Sequence, residues 1–287
     1  MTRSGAIFCA LLWGFLLSGC IDVEKVVAVK PDGSGSITET VVLTREAIAS
    51  LKQIGNQLGA RPGAGAAVQT SPSDESYQLL DEKKLRAATK SMGKNVTLLS
   101  AKKVSTAKGE GYVAIYGFTD IADLKLDQNP LQNMVKVDVG ADSTPQGNDA
   151  EPTAEEGIEK IHFEFHKGVP ARLVVQLPKD AAAPRAVATE KSDDPMNDQM
   201  VQQIIKDMRV RIFIKPEGTI TETDAQFHNA SQVTLMEIDF NKLLANPTKL
   251  KAFIKARPRT FEEAKGLVKG INGVKVETKP AITVAFE

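Results

Sequence analysis

Three histidines and a scatter of carboxylates are the raw material for acid–base or metal chemistry in this chain. Two of the histidines fall in Ile161-His162-Phe163-Glu164-Phe165-His166. Read as a strand, this run puts His162, Glu164 and His166 on one face and Ile161, Phe163 and Phe165 on the other. Four residues of strand hold the two imidazoles about 13 Å apart, too far to share one metal ion unaided. The pattern predicts a solvated polar face over an apolar one, with no metal and no cofactor. His228, in Phe227-His228-Asn229-Ala230-Ser231, reads as a turn residue between strands.

Asp32-Gly33-Ser34-Gly35-Ser36 sets oxygen side chains at alternate positions, as a calcium loop does at its start. That loop requires glycine sixth and glutamate twelfth; Ile37 and Leu43 occupy those places, so the segment reads as a turn. Gly63-Ala64-Gly65 lacks the third glycine and the preceding strand of a dinucleotide fingerprint, and there is no Walker loop. No serine, histidine and carboxylate are spaced so as to single out a catalytic nucleophile. Lys249, Lys251, Lys255, Arg257 and Arg259 form a basic run without an acid, beside Leu250, Phe253 and Ile254. Such a segment is either the solvated face of a short helix or a contact with an anionic lipid or glycan surface.

The elements that must position these residues belong to a chain of 287 residues, 42% hydrophobic and 25% charged. That composition excludes a disordered, collagen-like or multi-span membrane protein. Thirty-six basic residues balance 36 acidic ones, so no global field gathers nucleic acid, and no nucleic-acid partner is expected.

At the N-terminus, Arg3 precedes an apolar run from Gly5 to Leu17, followed by Ser18-Gly19-Cys20. The run is shorter than the ~20 residues of a bilayer-spanning helix and fits a signal-peptide core. Leu17-Ser18-Gly19-Cys20 resembles the lipobox of bacterial lipoproteins. The resemblance covers about the first twenty residues and implies a diacylglyceryl thioether on Cys20, cleavage just before it, and acylation of the new amine. Two or more acyl chains, at ~0.8 kcal/mol per buried methylene, make a stable membrane anchor. The mature chain then runs from Cys20 to Glu287 and loses Cys9, so no intramolecular disulfide is possible. Ile21, not aspartate, follows Cys20; in a host with two membranes this favours an outer-membrane anchor facing the periplasm.

Residues 1–19 are thus expected as signal peptide and 20–137 as an N-terminal α+β region, with an irregular stretch at 59–76. Residues 138–157 read as an acidic linker and 158–178 as a hairpin extending the N-terminal sheet. After an alanine- and proline-rich stretch from Pro178 to Asp193, residues 194–287 read as a C-terminal α+β region. Strands are predicted at Val23–Val29 and Ile37–Leu43, joined by Pro31-Asp32-Gly33-Ser34-Gly35. Others are predicted at Val96–Val104, Tyr112–Phe118, Ile161–Phe165 and Arg172–Leu177. A three-strand meander follows at Val210–Ile214, Thr219–Phe227 and Val233–Phe240, with closing strands at Val274–Glu277 and Ile282–Phe286. Helices are predicted at Arg45–Leu58, Asp81–Met92, from Asp194 to about Met208, Asn241–Leu244, Thr248–Ala256 and from Thr260. The expected fold class is α+β: mainly antiparallel sheets of at least eight strands, with helices packed on one side.

Lys30-Pro31-Asp32-Gly33-Ser34-Gly35-Ser36-Ile37-Thr38-Glu39-Thr40 returns as Lys215-Pro216-Glu217-Gly218-Thr219-Ile220-Thr221-Glu222-Thr223, identical at seven of nine aligned positions. Duplication of a half-domain and convergent hairpin chemistry both account for it. The order of lipidated cysteine, immediate strand, Asp-Gly-Ser-Gly turn, strand, helices and hairpins resembles the mycobacterial LppM-type lipoprotein ectodomains. That resemblance is one of pattern, over Cys20 to about Leu177, and carries over no residue's role. It implies a module that faces lipid or glycan. The leading expectation is a lipid-anchored, non-catalytic binding or scaffolding protein, with an envelope protein, glycolipid or glycan as partner. A carrier of a lipid or other apolar ligand, held in a cavity between sheet and helices, is the second class. A hydrolase-like enzyme is the third.

Overall fold

In the computed structural model, the described residues are 21–45, 47–48, 80–107, 109–127, 160–178, 207–246, 248, 266, 270–271 and 273–287. Alternating apolar residues build β1 (Ile21–Val29) and β2 (Gly35–Thr44), the hairpin the sequence predicts. Its turn closes through Lys30 N–H to the Ser34 carbonyl, 2.8 Å, and through Gly33 at φ +88°, a left-handed backbone that glycine adopts without strain. β3 (Thr97–Ser105) and β4 (Gly109–Phe118) continue outward from β2. β2 and β4 approach so closely that a Cβ on Gly111 would lie 1.8 Å from the Val41 carbonyl oxygen.

β7 (Met208–Pro216) lies on the other side of β1 and runs parallel to it, Ile21 opposite Met208 and Val29 opposite Pro216. β10 (Gln232–Asp239) and the short β11 (Val274–Val276) complete that flank, and β9 (His228–Asn229) pairs with β10. The eight-stranded sheet is thus drawn from both the N-terminal and the C-terminal parts of the chain. A second sheet has the order β5 (His162–His166), β6 (Ala171–Gln176), β12 (Ala281–Phe286) and β8 (Ile220–Thr223). The hairpin expected to extend the N-terminal sheet therefore pairs with C-terminal strands. The predicted meander also divides, because β8 leaves β7 and β10 for the second sheet. Thr219 directs this crossing by exchanging backbone bonds of 2.7 and 3.1 Å with Glu287. The two copies of the repeated sequence consequently diverge: the first folds back within one sheet, and the second crosses to another.

The α+β expectation is corrected. Among the described residues strand accounts for 56% and helix for 16%, so the fold is mostly β. Helix Glu82–Met92 is capped by Asp81, whose carboxylate accepts from the Lys83 and Lys84 N–H groups. Lysines and arginine leave it only the narrow stripe Leu85, Ala88 and Met92, which rests near β3 without covering a sheet face. Helix Phe240–Leu244 is little more than one turn. Thr44 Oγ1 accepts from Ala47 N–H, 3.2 Å, and Arg45, Ala47 and Ile48 are helical as predicted; the rest of that predicted helix lies outside the described residues. So do the irregular stretches expected at 59–76 and 138–157, and most of residues 194–207 and 248–270. Met208, expected to close a helix, instead opens β7.

One hydrophobic cluster joins the two sheets. Ile21, Val23, Val27, Val29, Ile37, Val41, Leu43, Tyr116, Val210, Ile212 and Ile214 line one face of the larger sheet, all below 9% exposed. At the β1–β2 turn the two sheets meet, where Phe165 of β5 packs against Gly33 and its ring lies 6.4 Å from that of Phe286.

Candidate functional site

The buried face of the larger sheet is interrupted by one polar cluster. Lys25, 2% exposed, stands directly opposite Glu39, 7% exposed, with Ile212 of β7 on its other side. Lys25 Nζ lies 3.0 Å from Glu39 Oε2, and the half-buried Tyr112 hydroxyl donates to Glu39 Oε1 at 2.7 Å. Ala114, opposite Glu39, leaves room for the Tyr112 ring to reach it diagonally. Burial pushes the Glu39 carboxyl upward, but Lys25 and the two hydrogen bonds outweigh it and hold the group below the ordinary carboxylate range. Burial, followed by the Glu39 charge, pushes the Tyr112 and Tyr116 hydroxyls well above the ordinary phenol range. Tyr116, fully buried one step further along the same face, has a hydroxyl with no hydrogen-bond partner among the described residues. Chemically the cluster is a closed ion pair: one carboxylate receives an ammonium and a phenol, and both of its oxygens are occupied.

The opposite face of the same sheet carries a second network. The Arg211 guanidinium bridges Asp22 at 2.7 Å and Glu24 at 2.9 Å, and Arg209 pairs with Asp239 at 3.2 Å. Parallel pairing of β1 with β7 creates this arrangement, because it sets Asp22 beside Arg209 and Glu24 beside Arg211. Burial raises the Glu24 carboxyl, and the Arg211 charge only partly opposes that. Glu277, 1% exposed, is a third buried acid: its oxygens accept from the backbone N–H groups of Gln226 (2.6 Å), Thr278 (2.8 Å) and Lys279 (3.1 Å). It pins the β11–β12 connection to the chain between β8 and β9.

The residues singled out by sequence fall elsewhere. His162, Glu164 and His166 are all exposed on edge strand β5, above buried Phe163 and half-buried Phe165, with Gln176 donating to Glu164. No group of three metal-ligating side chains occurs among the described residues. His228 lies in β9, beside a shallow groove of 220 Å³ that also touches Thr221, Glu222 and Asn229. Asp32 accepts from the Ser34 N–H (2.9 Å) and hydroxyl (2.7 Å), as a turn aspartate does; these bonds hold its carboxyl below the ordinary range. Cys20 and the basic run Lys249, Lys251, Lys255, Arg257 and Arg259 lie outside the described residues.

Sequence reasoning missed Lys25, Glu39 and Tyr112, although a signal was present. Lys25 shares the inward parity of Val23 and Val27, and Glu39 that of Ile37 and Val41. A charge at an inward position on each arm of one hairpin, at matching distances from its turn, predicts a buried cross-strand pair.

No family model matches the chain, and no curated protein matches it. Among solved structures the chain is similar to the folded domain of the LppM protein of Mycobacterium tuberculosis, determined by NMR. The likeness covers 79% of this chain and 86% of that one, at 10% sequence identity and a TM-score of 0.30. At this identity and TM-score no side chain's role transfers from it.

Proposed function

We propose that this chain is a lipid-anchored protein of the bacterial cell envelope whose body is a non-catalytic binding or scaffolding module. The observation that carries the second half is the Lys25–Glu39–Tyr112 cluster. The titratable groups best placed for chemistry are turned on one another at the centre of a sheet, with both carboxylate oxygens occupied. Groups locked in this way fix the pairing of β1, β2 and β4, and are poorly placed to exchange protons with a substrate. The first half rests on the lipobox, Leu17-Ser18-Gly19-Cys20. No helix among the described residues is long and apolar enough to cross a membrane, and two acyl chains supply a stable attachment without one. The envelope partner in this reading is a protein, a glycolipid or a glycan, and in a host with two membranes the body faces the periplasm from the outer membrane.

Fractionation of cells expressing the wild-type chain and Cys20→Ser tests the anchor. The wild type should sediment with membranes in processed form, and the variant should accumulate as a precursor that retains Arg3 and the apolar run. A variant processed and membrane-bound like the wild type would refute it.

A further inference from the structure

We propose that the end of the eight-stranded sheet at which β1 begins lies against the membrane, with the four-stranded sheet held at the far end; this rests on acylation of Cys20. Ile21, the residue after Cys20, is already fixed: it pairs with Leu43 of β2 and Met208 of β7 and is only 7% exposed. Successive Cα atoms are about 3.8 Å apart across a trans peptide, so acyl chains on Cys20 leave within one residue of a strand end paired on both sides. A flexible tether of n residues would let the body wander by about 5–6 Å times the square root of n. Here no such tether separates lipid from sheet, and the direction of β1 dictates which surface meets the headgroups.

Among the described residues that rim includes the start of the helix at Arg45, the Thr106–Gly109 connection of β3 and β4, Asp207 ahead of β7, helix Phe240–Leu244 after β10, and Gly273 ahead of β11. Its composition suits the location. Asp207 is engaged by Asn241, and Asp239 by Arg209. Arg45 and Lys242 are exposed cations on the rim, with Glu110 an exposed acid. Exposed cations favour an anionic leaflet, so the rim adds modestly to an attachment made by lipid. Nine residues of β1 carry the chain about 30 Å to the opposite end. There Gly33 packs on Phe165, so β5, β6, β12 and β8 stand away from the bilayer.

The test uses the natively acylated protein, purified from membranes and reconstituted into phosphatidylcholine–phosphatidylglycerol vesicles. The Cys20 thiol is consumed by lipid, so a single added cysteine takes a maleimide spin label. Ala245→Cys and Glu110→Cys report on the proposed proximal rim, and Val169→Cys, at a residue 89% exposed in the β5–β6 turn, reports on the distal sheet. With a nickel-chelating lipid in the vesicles, both proximal labels should relax strongly and the distal label should behave as it does without nickel. Equal relaxation at all three sites, or stronger relaxation at position 169, overturns the orientation while the intact acyl mass leaves the anchor standing. Protein whose Cys20 carries no acyl mass overturns the anchor, and the orientation with it.

Discussion

Glu39→Leu leaves the Lys25 ammonium without its partner at a position 2% exposed, between Val23 and Val27 on its own strand and beside Ile212 on the next. Breaking a buried ion pair from one side typically costs about 3–5 kcal/mol, because the surviving charge is neither solvated nor paired. Lys25→Met combined with Glu39→Leu removes both charges while keeping much of the volume, and such replacements are neutral or stabilising by about 1–4 kcal/mol. Tyr112 then loses its acceptor, but it is half-buried, and solvent at its exposed edge limits that cost to about 1 kcal/mol. In urea, with a slope near 3 kcal/mol per molar, the single variant should unfold about 1–1.7 M earlier than the wild type. The double variant should unfold at or above the wild-type midpoint. Acid titration provides an independent check. The folded carboxyl of Glu39 is held below its unfolded value, so its stabilisation is fully present above pH ~4.3 and is lost as pH falls through the folded pKa. The wild type should lose stability over that window more steeply than the double variant. An interaction energy between the two substitutions below about 0.5 kcal/mol would show that the pair is not coupled and that the burial argument is wrong.

Tyr112→Phe should destabilise by about 1.5–3 kcal/mol, the range for a hydrogen bond to a charged group, whereas Tyr116→Phe removes a buried hydroxyl that has no partner among the described residues and should be neutral or stabilising in the same urea assay. Equal losses from the two would mean that Tyr116 has a partner of its own. Gly111→Ala should cost more than about 3 kcal/mol, because its methyl would meet the Val41 carbonyl at 1.8 Å and force β2 from β4; a midpoint unchanged in urea would disprove that close approach. His162→Ala with His166→Ala should leave the melting temperature and the metal content of purified protein unchanged, since both side chains are exposed on β5. Stoichiometric zinc that disappears with the pair would establish a site there.

The strands were legible in the sequence wherever one face is buried. Alternation fixed β1, β2, β4, β6 and β12 to within a few residues, and the helices predicted from Arg45 and from Asp81 start where the structure places Thr44 and Asp81 as caps that accept from the next turn. Three features were not legible. Parallel pairing of β1 with β7 joins residues nearly two hundred positions apart, and no local pattern encodes it. The crossing of β8 depends on a bond between Thr219 and the C-terminal Glu287, again a long-range event. The α+β reading gave amphipathic helices a layer of their own, yet the stripe of Leu85, Ala88 and Met92 is too narrow to cover a sheet. The polar cluster could have been found: a lysine and a glutamate at inward positions, equidistant from a hairpin turn, break an apolar alternation only if they meet.

Lipid anchorage at Cys20 is tested most directly by intact-mass and N-terminal peptide mass spectrometry of the protein extracted with detergent from native membranes. One N-terminal species should be found, beginning at Cys20 and carrying the mass of a diacylglyceryl thioether, with or without a further acyl chain on its amine. A chain that begins at any other residue, or an unmodified Cys20 in soluble protein, would contradict it.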